Sequence, residues 1–324
     1  EAAIDNYKQA LKIKPDYAEV YNNMGIALKD QGDLEAAIDN YKQALKIKPD
    51  YAKAYKNICD VYEKSNKLTE LSEVISEAKI ALKEFPDDLL LYEALYYFRS
   101  NNYEYSEKLI SVVNIDHIGL IRRPLFLQLK AKLHHYQKNY KSAFNSFAEM
   151  NQSVINSSDY KGKEAQVFFD ELLLRVQQLK NIAETPYSNS LAEPSIDTPT
   201  FLIGFPRSGT TLLDTILRTH SKIDVIEEKA MLLKAQLSLG NKLSIVDIEN
   251  LTNGELANAK EIYFKELGKF VSTKSDGCVI DKLPLNIKDV PIIHKLFPTA
   301  KFILALRHPL DSILSCWMQL FRMN

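Results

Sequence analysis

The sequence predicts two folds in succession: an all-α helical-repeat domain, then a parallel-sheet α/β domain. Three observations predict them. EAAIDNYKQALKIKPDYA at 1–18 returns unchanged at 35–52, a shift of 34 residues. Beyond residue 199, short apolar runs alternate with helical stretches, the pattern of a parallel sheet with helical crossovers. Between the two, AETPYSNSLAEPSIDTPT at 183–200 loses all apolar period and turns to Pro, Ser, Thr and Asn, as a linker does. The expected layout is a repeat domain with a closing helix over 1–182, a linker over 183–198, and an α/β domain over 199–324.

A period of 34 residues is that of the tetratricopeptide repeat (TPR), a helix–turn–helix unit. Tyr21, Met24, Gly25 and Leu28 line the first helix of the unit. Ala37, Tyr41 and Ala44 line the second, and Pro49 ends it. Small residues at 25, 37 and 44 let paired helices approach, while Tyr41 fills the gap between neighbouring pairs. The next unit keeps Tyr55, Ile58, Tyr62 and Ala78 but puts Cys59 in the glycine's place, and its proline arrives late, at Pro86. LYEALYYFRSNNYEYSEKLI and LFLQLKAKLHHYQKNYKSAFNSFAEM read as further helical hairpins, with Ala143 and Phe147 keeping the A-x3-F spacing. Residues 163–182 read as a closing helix, with Phe168, Phe169 and Leu172–Leu174 as its core face. Such an array has no chemistry of its own; its concave face is where a protein partner or acceptor is expected. Helical packing accounts for Tyr92, Tyr96, Tyr97, Tyr103 and Tyr105. His134 and His135, adjacent on one helix, point in different directions and make a poor metal pair.

Composition limits the rest. The 324 residues suit two domains, with 46% hydrophobic and 26% charged. A net charge of −1 gives no footing for wholesale binding to nucleic acid or anionic membrane, so an anion site must be local. Cys59, Cys278 and Cys316 are far apart and odd in number, which argues against a disulfide framework or a metal cluster and fits a reducing compartment. No apolar run approaches the roughly 20 residues that span a bilayer, and the first residues are not a signal peptide. A cytoplasmic setting is expected, with the native start, and any targeting signal, upstream of this mid-repeat beginning.

PTFLIGFPRSGTTLLDTILRTH, residues 199–220, keeps the glycine spacing of a P-loop at Gly204 and Gly209 and its hydroxyl at Thr211. Thr210 stands where the loop lysine belongs, and the cation is instead Arg207. TFLIG suits a buried strand, and TLLDTILRTH suits a helix with apolar spacing at Leu212, Leu213, Ile216 and Leu217. A strand, a glycine loop and a helix N-terminus together aim backbone N–H groups and the helix dipole at an anion. Two more units follow. One has a strand at 278–281, the turn KLP and a helix from about Ile287 to Leu296. The other has a strand at 301–306 and a helix from about Pro309. In such sheets ligands bind beyond the carboxyl ends of the strands. Arg207, Lys282 and Arg307 all fall there, which suits a ligand with more than one anionic group.

FPRSGTTLL resembles the 5′-phosphosulfate-binding motif of sulfotransferases that use 3′-phosphoadenosine 5′-phosphosulfate (PAPS), and RHPLDSILS resembles their 3′-phosphate-binding motif. KLP and the acidic IEE at 226–228 resemble that family's lysine turn and acidic segment. Coupled to TPRs, the second half is similar to the branch that includes tyrosylprotein sulfotransferases and bacterial TPR sulfotransferases. The resemblance implies PAPS as donor and no metal. It implies Arg207 as the cation on the 5′-phosphosulfate, wrapped by the backbone of Ser208, Gly209, Thr210, Thr211 and Leu212 and by the two threonine hydroxyls. It implies Arg307 and Ser315 on the 3′-phosphate, Glu228 as general base and Lys282 on the bridging oxygen. The acceptor would be a hydroxyl on a peptidyl tyrosine, a glycan or a small molecule. Glu227 competes with Glu228 for the role of base, and a solvated surface residue competes with Lys282.

Two other functions stay open at this point. One is a P-loop nucleotide kinase or NTPase, for which Asp281 is the one arguable Mg²⁺ ligand. The other is a non-catalytic TPR scaffold with a relic transferase domain. The α/β domain also ends soon after its second anion motif. It is expected to be incomplete at its C-terminus, with the donor half present and much of the acceptor half missing, so activity of this stretch alone is not implied.

Overall fold

The computed structural model describes residues 2–156, 162–182, 198–240, 244–271 and 277–320. The chain forms two compact units, Glu1–Tyr160 with Leu320–Asn324, and Lys161–Gln319. Apart from Thr198, the expected linker lies outside the described residues.

The first unit is helical throughout. Its elements are α1 (Ala2–Ile13), α2 (Ala18–Asp30), α3 (Leu34–Ile47), α4 (Ala52–Lys64), α5 (Leu68–Ala81), α6 (Asp87–Arg99), α7 (Tyr103–Val112), α8 (Arg123–Tyr136) and α9 (Tyr140–Ile155). The hairpins α2–α3, α4–α5, α6–α7 and α8–α9 are the expected repeats. Each turns through one left-handed residue: Gly32, Asn66, Asn101 and Lys138, with φ of 88°, 56°, 60° and 61°. The following residue then caps the second helix in three of the four. Asp33, Asn102 and Asn139 accept from the N–H groups of Ala36, Tyr105 and Ser142, satisfying a donor that the first turn leaves free. Two 3₁₀ turns, Ile115–His117 and Leu120–Arg122, separate the third hairpin from the fourth.

Inside a hairpin the contact is as close as the small residues allow. A Cβ on Gly25 would stand 2.6 Å from the Tyr41 ring, and Tyr41 is fully buried. Cys59, in the glycine's place in the next repeat, is also fully buried. Successive hairpins are stitched by polar side chains. Asn57 donates to Asn22 at 2.9 Å, Lys56 to Asp88 at 2.8 Å, Tyr92 to Asp60 at 3.2 Å and Arg122 to Tyr92 at 3.0 Å. The tyrosines pack on each other, Tyr97 on Tyr105 with centroids 4.4 Å apart and Tyr103 on Tyr136 at 3.9 Å. Packing thus accounts for these rings, as the helical spacing predicts.

Helix α10 (Gly162–Ile182) groups with the second unit, which differs from its expected place as the end of the repeat domain. Phe169, Leu173 and Leu174, expected as core, are exposed, and Leu172 is half-buried. The side chain of Phe168 lies outside the described residues. Apolar period alone marks a face without saying what covers it.

The second unit is built on a four-stranded, wholly parallel sheet of β1 (Thr200–Gly204), β2 (Ile223–Glu227), β3 (Cys278–Lys282) and β4 (Lys301–Ala305), in the order β2-β3-β1-β4. Around it run α11 (Thr210–Leu217), α12 (Met231–Ser238), α13 (Ile245–Glu249), α14 (Asn253–Leu267), α15 (Val290–Leu296) and α16 (Pro309–Trp317). Phe201, Ile203 and Ile226 face one core, packed with Tyr263 of α14 and with Ile292, Ile293 and Leu296 of α15. Leu202, Val225 and Ile280 face the other side, against Leu213 and Leu217 of α11. The helix expected from Ile287 is a 3₁₀ turn at Pro284–Asp289 followed by α15. Pro291 has no N–H to bond the carbonyl of residue 287, so an α-helical ladder cannot run through that turn.

Candidate functional site

The strand order explains why distant motifs meet. With β1 between β3 and β4, the segments leaving β1, β3 and β4 depart side by side from one sheet edge. Arg207 lies three residues past β1, Lys282 ends β3, and Arg307 lies two residues past β4. β2 flanks β3 in a register that puts Glu227 opposite Lys282.

The loop after β1 requires its glycines for two different reasons. A Cβ on Gly204 would stand 2.8 Å from the carbonyl of Ala305 on β4 and 2.9 Å from Ser208 Oγ. Gly209, the N-cap of α11, has φ of +98°, which L side chains rarely adopt. Arg207 is itself left-handed, with φ of +68°. It is held twice: its Nε donates to Ser315 Oγ of α16 at 3.1 Å, and its carbonyl accepts from Arg307 Nη1 at 3.0 Å. Arg307 also lies 4.0 Å from Asp311. The loop and the segment after β4 therefore brace each other across 100 residues of sequence.

Two hydroxyls here are buried without a protein partner, Ser208 Oγ in the loop and Ser312 Oγ on α16. A buried hydroxyl with nothing to bond is costly unless a ligand supplies the acceptor. The first turn of α11 adds backbone N–H groups with no intrahelical acceptor. An anion with several oxygens fits this donor set. Thr210 is buried at the start of the helix, Thr211 turns its hydroxyl to Lys282, and Leu212 exposes its side chain, so Leu212 can contribute through its backbone only.

Lys282 is fully buried, which excludes a solvated surface lysine. Its ammonium hydrogen-bonds Glu227 and donates to Thr211 Oγ1 at 3.3 Å; Asp214 and Glu228 each lie 3.8 Å away. Glu228 follows the strand with φ of +50°, and its N–H donates to the Lys282 carbonyl at 2.8 Å. Glu227 is the last residue of β2, a strand that apolar pattern alone left unread.

Asp281, one residue before Lys282, points the opposite way. It is fully buried and accepts from the Tyr263 hydroxyl at 2.8 Å, with its second oxygen unbonded. Burial raises its pKa to about 7. The acid that a Mg²⁺-dependent NTPase would need is thus turned into the core, away from the loop. Among the described residues no group of three or more His, Cys, Asp or Glu could hold a metal ion.

Of the residues expected in the site, the structure brings together Arg207, Arg307 and Ser315, and separately Lys282, Thr211, Glu227 and Glu228. Sequence reasoning passed over Asp214 and Arg218. They stand four apart, Asp214 on α11 and Arg218 at its C-cap, and hydrogen-bond each other; that i,i+4 spacing was the available signal. It also passed over Ser312, for which spacing offered none.

Residues 199–324 match the model of the sulfotransferase family, and residues 1–32 and 18–51 match TPR models. An uncharacterized protein of Aquifex aeolicus (strain VF5) is 29% identical over 202 residues, covering 57% of this chain and 25% of that protein. The chain thus spans about a quarter of the length of this curated relative. Similar solved structures include YrrB, a TPR protein with an unusual peptide-binding site (16% identity, TM-score 0.37, covering 45% of this chain and 74% of that one). They also include MamA (18%, 0.37, 48% and 90%) and Pseudomonas aeruginosa pilF (18%, 0.39, 50% and 72%). No described helix is long and apolar enough to cross a membrane.

Proposed function

This chain carries a sulfotransferase-family domain behind tetratricopeptide repeats, and from that premise we propose that it transfers a sulfuryl group from PAPS to an acceptor hydroxyl. One observation carries the reading. All three cations at the sheet edge converge on the loop 207–211: Arg207 within it, Arg307 through the Arg207 carbonyl, and Lys282 through Thr211.

In this reading Arg207, the backbone of Ser208 to Leu212, and the Thr210 and Thr211 hydroxyls hold the 5′-phosphosulfate. Arg307, with its planar fork of donors, and Ser315 hold the 3′-phosphate. PAPS supplies the sulfuryl group, which leaves its bridging oxygen for the acceptor oxygen as 3′-phosphoadenosine 5′-phosphate departs. Glu228 takes the acceptor's proton, since its side chain is more than half exposed and stands beside Lys282. Lys282 places its positive charge where negative charge develops on the leaving oxygen. No metal is needed for this division of labour. The repeats hold a protein partner or the acceptor, whether a peptidyl tyrosine, a glycan or a small molecule. The reading extends to a cytoplasmic setting, supported by three cysteines in thiol form.

Titration with 3′-phosphoadenosine 5′-phosphate and with ATP, each with and without Mg²⁺, tests the donor assignment. Metal-independent preference for the 3′-phosphorylated nucleotide is expected. Preference for Mg-ATP would favour a nucleotide kinase or NTPase, and binding of neither would favour a relic domain. A labelled-PAPS transfer screen across peptides, glycans and small phenols, run on the full-length protein, then identifies the acceptor class.

A further inference from the structure

A buried ammonium needs counter-charge, and Lys282 has more of it than one salt bridge supplies. Its nearest anion, Glu227 Oε1, belongs to a carboxylate whose Oε2 lies 3.9 Å from Arg218 Nη2. Arg218 in turn hydrogen-bonds Asp214, and Asp214 Oδ2 returns to Lys282 at 3.8 Å. The four side chains close a ring of alternating sign: Lys282, Glu227, Arg218, Asp214. Two elements build it. Asp214 and Arg218 are one helical turn apart on α11 and at its C-cap, where the helix dipole favours a cation. Glu227 and Lys282 are register partners at the ends of β2 and β3.

We propose that Asp214 and Arg218 are positioning residues that, through this ring, fix the Lys282 ammonium at the loop and engage both oxygens of Glu227, leaving Glu228 as the free carboxylate. The inference rests on the sulfotransferase reading for the roles of Lys282 and Glu228, and the ring itself rests on geometry alone. The ring is charge-neutral, so Glu228 is the surplus anion of the cluster. Its left-handed backbone turns it out of the strand, and its only cation within 4 Å is Lys282 among the described residues. Arg218 shares both carboxylates with Lys282. Without Arg218, Glu227 Oε2 and Asp214 lose their shared partner and are free to turn. Without the Asp214 charge, Arg218 is released from α11 and competes with Lys282 for Glu227.

Crystal structures of the full chain carrying Asp214→Asn, Arg218→Ala or Arg218→Lys test this. Arg218→Ala should free Glu227 Oε2, let that carboxylate turn, and draw the Lys282 ammonium beyond hydrogen-bond reach of Thr211 Oγ1. Asp214→Asn should do the same by releasing Arg218. Arg218→Lys, which keeps the charge, should retain the Lys282–Thr211 contact. A merely structural role would lower the unfolding midpoint of the variants and leave that contact in place. The contact kept in either Asp214→Asn or Arg218→Ala, or lost also in Arg218→Lys, would overturn the proposal. Binding of 3′-phosphoadenosine 5′-phosphate is measured alongside on the unmodified protein. Absence of binding sinks the sulfotransferase reading, whereas displacement of Lys282 in the first two variants and its return in the third still uphold the ring.

Discussion

Arg207 Nε donates to Ser315 Oγ at 3.1 Å, tying the loop after β1 to the helix after β4. These two residues belong to the two segments proposed to hold different phosphate groups, and the contact joins those segments. Arg307 adds the second tie, to the Arg207 carbonyl.

If the two arginines serve different phosphate groups, their loss should depend on the ligand. Each removes a charge-assisted contact of roughly 1.5–3 kcal/mol, a factor of about ten or more in affinity. Arg207→Ala should weaken adenosine 5′-phosphate and 3′-phosphoadenosine 5′-phosphate alike. Arg307→Ala should weaken the first only by what loosening the Arg207 carbonyl costs, and the second by clearly more. Calorimetric titration of both ligands checks this. Equal losses on the two would remove the 3′-phosphate assignment of Arg307.

The adjacent acids give a test of chemistry. Glu228→Gln in the full-length protein should lower transfer by about 10²–10⁴-fold, the usual contribution of a general base, with donor binding close to wild type. Glu227→Gln changes the partner of Lys282 rather than the base, and should cost less than Glu228→Gln in the same turnover assay. The reverse order would move the base to Glu227, and two active variants would dismiss both.

Asp281 should write a pH dependence into stability. Its folded pKa of about 7 stands above the unfolded value near 3.8, so the folded protein binds more protons between them. The contribution of Asp281 to stability is therefore greatest below the unfolded value, falls as pH rises toward 7, and levels off above it. One pKa unit is 1.36 kcal/mol, which makes the span roughly 4 kcal/mol as an order of magnitude. Asp281→Asn should flatten this slope in denaturant titrations run from pH 4 to 8. An unchanged slope would mean that Asp281 is ionised in the fold at neutral pH.

In the repeat unit, Gly25→Ala should destabilise by about 1–3 kcal/mol, the usual cost of overpacking, because the new methyl meets the buried ring of Tyr41. Thermal unfolding followed at the helix band reads it. Alanine is the better helix former, so a gain in stability would show that the ring moves aside freely.

Much of the site was legible because its signals are local. Gly204 and Lys282 end strands, Arg207 and Arg307 follow closely, and Gly209 caps the helix after β1; short apolar runs mark strands well. β2 was not legible: IDVIE carries two acids in five residues and reads as surface until it pairs with β3. The ring around Lys282 was hidden for a related reason. It needs the register of two strands and the facing side of a helix together, and neither follows from spacing. Exposed Phe169, Leu173 and Leu174 show the converse, an apolar stripe that periodicity alone assigned to a core.

The hairpin turns of the repeat unit keep a shape that their residues do not. Gly32, Asn66, Asn101 and Lys138 occupy the same left-handed corner, and only the first is the residue suited to it without side-chain strain. Their spacing lengthens along the chain, from 32 to 66, then to 101, then to 138, with the added residues outside the hairpins, as in the 3₁₀ turns at 115–122. The corners are therefore the fixed points of the array, and the connections between hairpins are its adjustable ones. A unit cut within those connections carries one whole hairpin with its corner inside it. Shuffling, duplication or loss of repeats there leaves every hairpin intact, so the array can change length without changing its corners.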